Sequence, residues 1–141
     1  MMHIDYAEIL KQLEPYKDKV FFLPMEGSEI DELERRVNCK FPRYFRDFLV
    51  TFGLKQDVVW GILESENDFE RAANILPDEV RELYVQIGDN GGEDVWLLNT
   101  SDHADLNIYE YEHWKEGAIV ALDMNFNTLI SNGTEGDNPL K

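Results

Sequence analysis

One cysteine, Cys39, is all that 141 residues contain, so an internal disulfide framework is excluded. The three histidines, His3, His103 and His113, have no metal-ligand spacing among themselves or with Cys39, which argues against a zinc site. Long apolar runs are also missing. Nothing approaches the roughly 20 consecutive apolar residues of a membrane span, and the opening MMHIDYAEIL has early acidic residues and no basic region ahead of an apolar core, unlike a secretory signal. These absences point to the cytoplasm, with Cys39 as a reduced, packed thiol.

Positive charge is scarce, and unevenly so. The chain has 29 acidic and 13 basic residues, a net of −16. Residues 1–63 hold 11 acidic and 9 basic side chains, a net of −2, whereas residues 64–141 hold 18 and 4, a net of −14. Nucleic acid is therefore a poor direct ligand for the second half, because phosphate binding needs cations. Such a surface steers a basic partner. The plainer reading, that the charge only keeps the protein soluble, stands beside it.

What remains is an ordinary globular composition: 43% hydrophobic and 12% aromatic residues, in a length typical of one domain. Tyr6, Ile9, Leu10 and Leu13 share a helical face, with Asp5 as cap and Pro15 as stop. VFFL (20–23) reads as a short buried strand. Ser28 opens a second helix, with Asp31 completing a weak capping box; Ile30, Leu33 and Val37 form its stripe, Glu32–Arg36 an i, i+4 pair, and Asn38 a left-handed end. Pro42 starts a third helix whose Phe45, Phe48, Leu49 and Phe52 are a core face, stopped by Gly53. Lys40, Arg43 and Arg46 read as a solvated basic region. DVVWGIL (57–63) reads as a strand in which Gly61 permits a close backbone approach. Ser65 and Asp68 begin a fourth helix with Phe69, Ala72, Ala73 and Leu76 inward; Pro77 ends it or starts a short turn.

From Tyr84 the period changes to two. YVQIG (84–88), DVWLLN (94–99), NIYEYEH (107–113) and AIVAL (118–122) read as strands, followed by a helix with Phe126, Leu129 and Ile130, capped by Asp123 or Asn125. Helices first and mostly antiparallel strands after argue an α+β fold over residues 1–132, with 133–141 a polar tail.

The sharpest local feature is IGDNGGEDVWLLNT (87–100). A P-loop needs Gly-Lys-Ser/Thr, but Glu93 and Asp94 follow Gly92 and would repel phosphate. Counted from Asp89, an EF-hand fails too: Gly91, Asp94 and Thr100 occupy the third, sixth and twelfth positions. Asn90-Gly91 is the dipeptide of a tight hairpin turn. The loop therefore reads as a β-turn with an acidic rim, a loose calcium site at Asp89, Glu93 and Asp94 being the minor alternative. No Gly-x-Ser-x-Gly is present, and acid–base chemistry by Glu110, Glu112 and His113 would need a pocket that the pattern does not produce.

Three segments together resemble the Smi1/Knr4 (SUKH) superfamily: SEIDELERRVNCKFPRYFRDFLVTFG (28–53), IGDNGGEDVWLLNT (87–100) and IYEYEHWKEGAIVALDMNFNTLI (108–130). The likeness spans about residues 25–131. It departs at Phe41, where the family has leucine before the proline, at Gly53-Leu54-Lys55, where Asn-Gly-Gly is common, and at Asn99, near a usual aspartate. The resemblance implies a single α+β domain without catalysis, cofactor or metal. Bacterial members commonly act as immunity proteins that bind and neutralise a toxin domain of a polymorphic toxin system, often a nuclease, whereas fungal members are regulatory interaction modules. The expected partner is a basic cognate toxin protein, with no direct nucleic-acid or membrane contact. The expected contacts are the hairpin rim, Asp89, Glu93 and Asp94, with Trp96 as anchor; Glu110, Glu112, His113 and Trp114 from the next strand; and Trp60 as a second aromatic. Against these stand a core role for Trp60 and Trp96 and plain solvation of the carboxylates.

Overall fold

The computed structural model describes residues 5–16, 18, 20–56, 58–59, 61–89, 95–112 and 118–132. Among the described residues, five helices precede the sheet: α1 (Tyr6–Leu13), α2 (Gly27–Val37), α3 (Arg43–Thr51), α4 (Glu66–Ile75) and the short α5 (Asp78–Arg81). Strands β1 (Tyr84–Asp89), β2 (Val95–Asn99), β3 (Asn107–Glu112) and β4 (Ala118–Asn125) follow, and α6 (Phe126–Asn132) closes the order. The fold is α+β: the sheet is an antiparallel meander in the order β1-β2-β3-β4. The segment before α4 joins its β1 edge through a single antiparallel bridge, Ile62–Gly88.

The helix stripes pack as their spacing dictates. Phe45, Phe48, Leu49 and Phe52 on or ending α3 are fully buried with Ile30 and Leu33 of α2 and Phe69 of α4. Phe126 meets Phe45 and Phe48 edge-on, with ring centroids 5.7 and 5.5 Å apart, a favoured aromatic geometry. A smaller cluster, Leu76, Val80, Leu97 and Tyr111, is separate from this main core. The pleat sends alternate strand residues to opposite faces: Val85, Trp96, Leu98 and Ile108 join the main core, whereas Leu97 and Tyr111 join the smaller one.

Several local expectations hold. Asp5 caps α1 by accepting from the Glu8 amide, 3.0 Å. Asn38 ends α2 with φ 57°, and Gly53 ends α3 with φ +74°. Ser65 caps α4, Pro77 precedes α5, and Asn125 rather than Asp123 caps α6, accepting from the Thr128 amide at 2.8 Å.

Others are corrected. α2 starts ahead of Ser28, because Glu26 and Glu29 form the capping box. Pro42 is the residue before α3, not its first turn. Pro15 lies within a 3-10 turn, Glu14–Tyr16, that extends α1. Glu32 pairs with Arg35, which leaves Arg36 to reach Glu70 and Asn67 across on α4. VFFL is not a buried strand: Phe22 makes one bridge to Gln56, and Phe21 and Leu23 are exposed. Among the described residues of 57–63, Ile62 alone makes a bridge. The cause is Gln56, whose Oε1 accepts from the amides of Val58 and Val59 while its Nε2 donates to the Val59 carbonyl. A side chain thus satisfies the backbone groups that a strand partner would have taken.

Arg46 is not part of a solvated basic region. It donates to Glu34, which is 3% exposed, and to Asp31 at 3.0 Å. Glu34 also accepts from the Phe41 amide at 2.7 Å. The α2–α3 corner is therefore locked by a buried carboxylate.

Candidate partner-binding surface

The hairpin that the sequence singles out is present. β1 and β2 pair antiparallel from Tyr84–Asn99 to Asp89–Val95. Its connecting residues 90–94, and with them Glu93 and Asp94, lie outside the described residues, as do Trp60, His113 and Trp114. The loose calcium site falls there too. Among the described residues, no three His, Cys, Asp or Glu side chains are grouped to hold a metal ion.

The base of the hairpin is clamped from the side. The Asp89 amide donates to the Gly61 carbonyl at 3.0 Å, and the Leu63 amide to the Ile87 carbonyl at 2.8 Å. Gly61 has φ +91°, and a Cβ there would stand 2.7 Å from Trp96 Cζ3 and 2.8 Å from the Asp89 carbonyl oxygen. Only glycine lets this backbone press against the indole. The close approach expected of Gly61 is thus present, and what approaches is Trp96.

Trp96 is 8% exposed and belongs to the main core. As an anchor it would offer a partner little surface; in this position the indole anchors the hairpin. Register places Glu110 between Trp96 and Val120, so these three share a face. Glu112, opposite Ala118, points to that same face and is 7% exposed. Asp89 lies in the neighbouring row with Val95, Tyr111 and Ile119, on the opposite face. The structure therefore brings Asp89, Trp96, Glu110 and Glu112 to one end of the sheet but divides them between its two faces. Asp89 and Glu110 are half-buried, and Glu112 is inside. The alternation read from NIYEYEH, with Ile108, Glu110 and Glu112 together, is correct; what it does not reveal is that this is the core-facing side.

Within residues 64–141, the exposed carboxylates among the described residues lie elsewhere. Glu64, Asp78, Glu79, Glu82 and Asp102 are exposed, at the approach to α4, along α5 and in the β2–β3 loop. Arg71 and Arg81 each pair with an aspartate three residues earlier, Asp68 and Asp78, so the described cations of this half are engaged locally. Beside α5, an open cleft of about 460 Å³ has Cys39 and Lys40 on one side and Asp78, Arg81 and Thr100 on the other. Burial and the nearby Glu34 carboxylate push the Cys39 thiol up to about 12, which suits packing and not nucleophilic chemistry.

A network that sequence reading missed shapes the β2–β3 loop. Asp105 accepts from Tyr109 Oη at 2.5 Å, Asn99 Nδ2 at 3.2 Å and the Asn107 amide at 3.0 Å. Its own carbonyl accepts from Tyr44 Oη at 2.9 Å, and the Tyr44 carbonyl accepts from Tyr6 Oη at 2.7 Å. Asn99 Oδ1 accepts from the amides of Ser101 and Asp102. Partial burial disfavours the Asp105 carboxylate, but its hydrogen bonds outweigh that and hold it below the usual value. Tyr109 is pushed up to about 12, first by donating to that carboxylate. The available signal is the run of short polar residues in NTSDHADLN, which favours side-chain-to-backbone turns.

A search of curated proteins returns no match. A family model does match, covering residues 24–132, and its span contains all three motifs, the α2–α3 corner, the hairpin and α6. The chain belongs to the SMI1/KNR4 family (SUKH-1).

Proposed function

We propose that the protein is a non-enzymatic, cytoplasmic binding protein: an immunity protein that neutralises a basic toxin domain by covering its surface. The observation that carries this reading is the division of charge on a SUKH frame, net −2 over residues 1–63 against −14 over 64–141. A nuclease domain is a fitting target, since it presents cations to its nucleic-acid substrate. Carboxylates on α5, in the β2–β3 loop and around the hairpin end would occupy those cations in place of phosphates. Apolar contact is still needed for a long-lived complex, because exposed ion pairs chiefly speed association and contribute little to affinity.

The test is co-purification with the product of the adjacent gene, over a series of salt concentrations. The immunity reading expects a tight complex that weakens as salt rises. Changing Asp89, Glu93 and Asp94 to Asn, Gln and Asn weakens it further if the hairpin end is the contact; a second set, Asp78→Asn with Glu79→Gln and Glu82→Gln, does so if α5 is. No complex with that product, or one indifferent to salt and to both sets, removes the charge-based reading.

A further inference from the structure

We infer that α1 is a latch on the β2–β3 loop: its docking on α3 is relayed through Tyr6 and Tyr44 to Asp105, so that the loop loosens when α1 lifts. α1 lies ahead of the span matched by the family model, residues 24–132. Its eight residues are fewer than the roughly 12–15 that an isolated helix needs in water, so docking is what keeps it helical. That docking is narrow. Leu13 is its one buried residue, and Tyr6 and Ile9 are half-buried. Tyr6 sets its ring edge-on against Phe52, with centroids 6.1 Å apart, and its Oη donates to the Tyr44 carbonyl at 2.7 Å. An element held by so few contacts opens more readily than the core beneath it.

Tyr44 carries the connection onward. Its carbonyl, in the first turn of α3, takes the bond from α1, and its own Oη donates to the Asp105 carbonyl at 2.9 Å. Its ring is buried and packs on Phe126, with centroids 5.3 Å apart, so it has little room to seek another acceptor. Burial pushes both tyrosine hydroxyls above their usual value, and both stay donors across the ordinary pH range. Asp105 in turn organises the loop. Its carboxylate holds Tyr109, Asn99 and the Asn107 amide, and its own amide donates to the Asp102 carbonyl at 3.1 Å. Among the described residues, the Tyr44 hydroxyl is the hydrogen bond between α3 and this loop. A buried hydroxyl that loses its acceptor is costly, so a disturbance reaching Tyr44 from the α1 side is felt at Asp105. Asp102, exposed on the same loop, is among the carboxylates assigned above to the partner; control of recognition by the latch rests on that reading, whereas the latch itself does not.

Amide hydrogen exchange on the full chain, resolved by NMR, tests the latch without any partner. Tyr6→Phe keeps the ring on Phe52 and removes only the hydroxyl. The expected result is faster exchange at the α1 amides and, by about two- to tenfold, at the Asp105 and Asn107 amides, with the amides of α2 and β1 unchanged. Tyr44→Phe, which breaks the loop's own bond, speeds the same loop amides at least as much. In the Tyr44→Phe background, Tyr6→Phe adds nothing further there, as coupling through one residue requires. Faster exchange in α1 with the loop unchanged overturns the inference. So does equal acceleration throughout the chain, which is global destabilisation, and so does a Tyr6→Phe effect on the loop that persists in full without the Tyr44 hydroxyl. Because no partner enters, failure here leaves the immunity reading standing, and a failed co-purification leaves the latch standing.

Discussion

Removing the Glu34 carboxylate is the most direct test of how the helical layer is held. Glu34 is 3% exposed and answers three groups: the Phe41 amide, the Arg46 guanidinium, and more distantly Lys40 Nζ at 3.9 Å. Glu34→Ala leaves a buried amide without an acceptor, at about 1–3 kcal/mol. It also takes from a guanidinium that is 30% exposed its buried partner, leaving it the exposed Asp31. Breaking a buried pair from one side costs about 3–5 kcal/mol, and the partial exposure of Arg46 places this case at the lower end, near 3. Glu34→Gln keeps an acceptor for Phe41 and a neutral contact for Arg46, so about 1–2 kcal/mol is expected. Arg46→Met leaves the acid buried with only a distant, exposed lysine, and should cost about as much as Glu34→Ala. Urea unfolding with linear extrapolation measures all three, and an unchanged m-value confirms that the midpoint shift is a stability change. For a domain whose total stability is of order 5–15 kcal/mol, losing 3 is plain to see. The reasoning fails if Glu34→Gln costs as much as Glu34→Ala, which would mean that charge and not hydrogen bonding holds the corner. It fails also if Arg46→Met is neutral, as a solvated arginine would be.

Two further predictions concern the sheet. Asp105 has its carboxyl held below the usual value in the folded state, so it contributes stability that is fully present above the unfolded value near 3.8 and is lost as pH falls through the lower folded one; the stability difference between wild type and Asp105→Asn should be flat at neutral pH and shrink only below about pH 4. Gly61→Ala sets a Cβ against the Trp96 ring and the Asp89 carbonyl at positive φ, so a loss of about 2–4 kcal/mol is expected, with hydrogen exchange at the Asp89 and Leu63 amides accelerating more than that of amides within α3; equal acceleration everywhere would remove the clamp.

What could be read from the sequence was what depends on neighbours a few residues away. Phe45, Phe48, Leu49 and Phe52 announce a buried face because a helix brings i, i+3, i+4 and i+7 together whatever surrounds it. Asp5, Ser65 and Asn38 act within one turn of themselves. β1 and β3 alternate at period two, and β2 and β4 are short apolar runs of strand length. Misreadings arose where a distant group decided. Arg46 was placed in solvent because its partner, Glu34, is brought to it only by the turn at Asn38 and the reversal before Pro42. Glu32–Arg36 was plausible at i, i+4 until α4 offered Arg36 both Glu70 and Asn67. Val58, Val59 and Ile62 are buried as strand residues would be, yet the side chain of Gln56 takes the amides of Val58 and Val59, and no pattern of apolar residues reports that.

The candidate site shows the same division more sharply. The period-two reading put Glu110 and Glu112 on one face, and they share it, but alternation cannot say which face meets the helices. The register does: Glu110 lies beside Trp96, Trp96 lies over Gly61, and Gly61 is bonded to Asp89. Asp89 is thereby fixed in position by a residue 28 places earlier, and the acidic connection beyond it starts from a rigid base. For a binding module this matters more than an exposed tryptophan at the rim would. A carboxylate held by a clamped hairpin loses little conformational freedom when a cation arrives, and that ordering cost is what separates a productive charge contact from one that contributes nothing. The indole that sequence reading offered to a partner lies instead in the core, packed on Gly61, where it holds the strand ends in place.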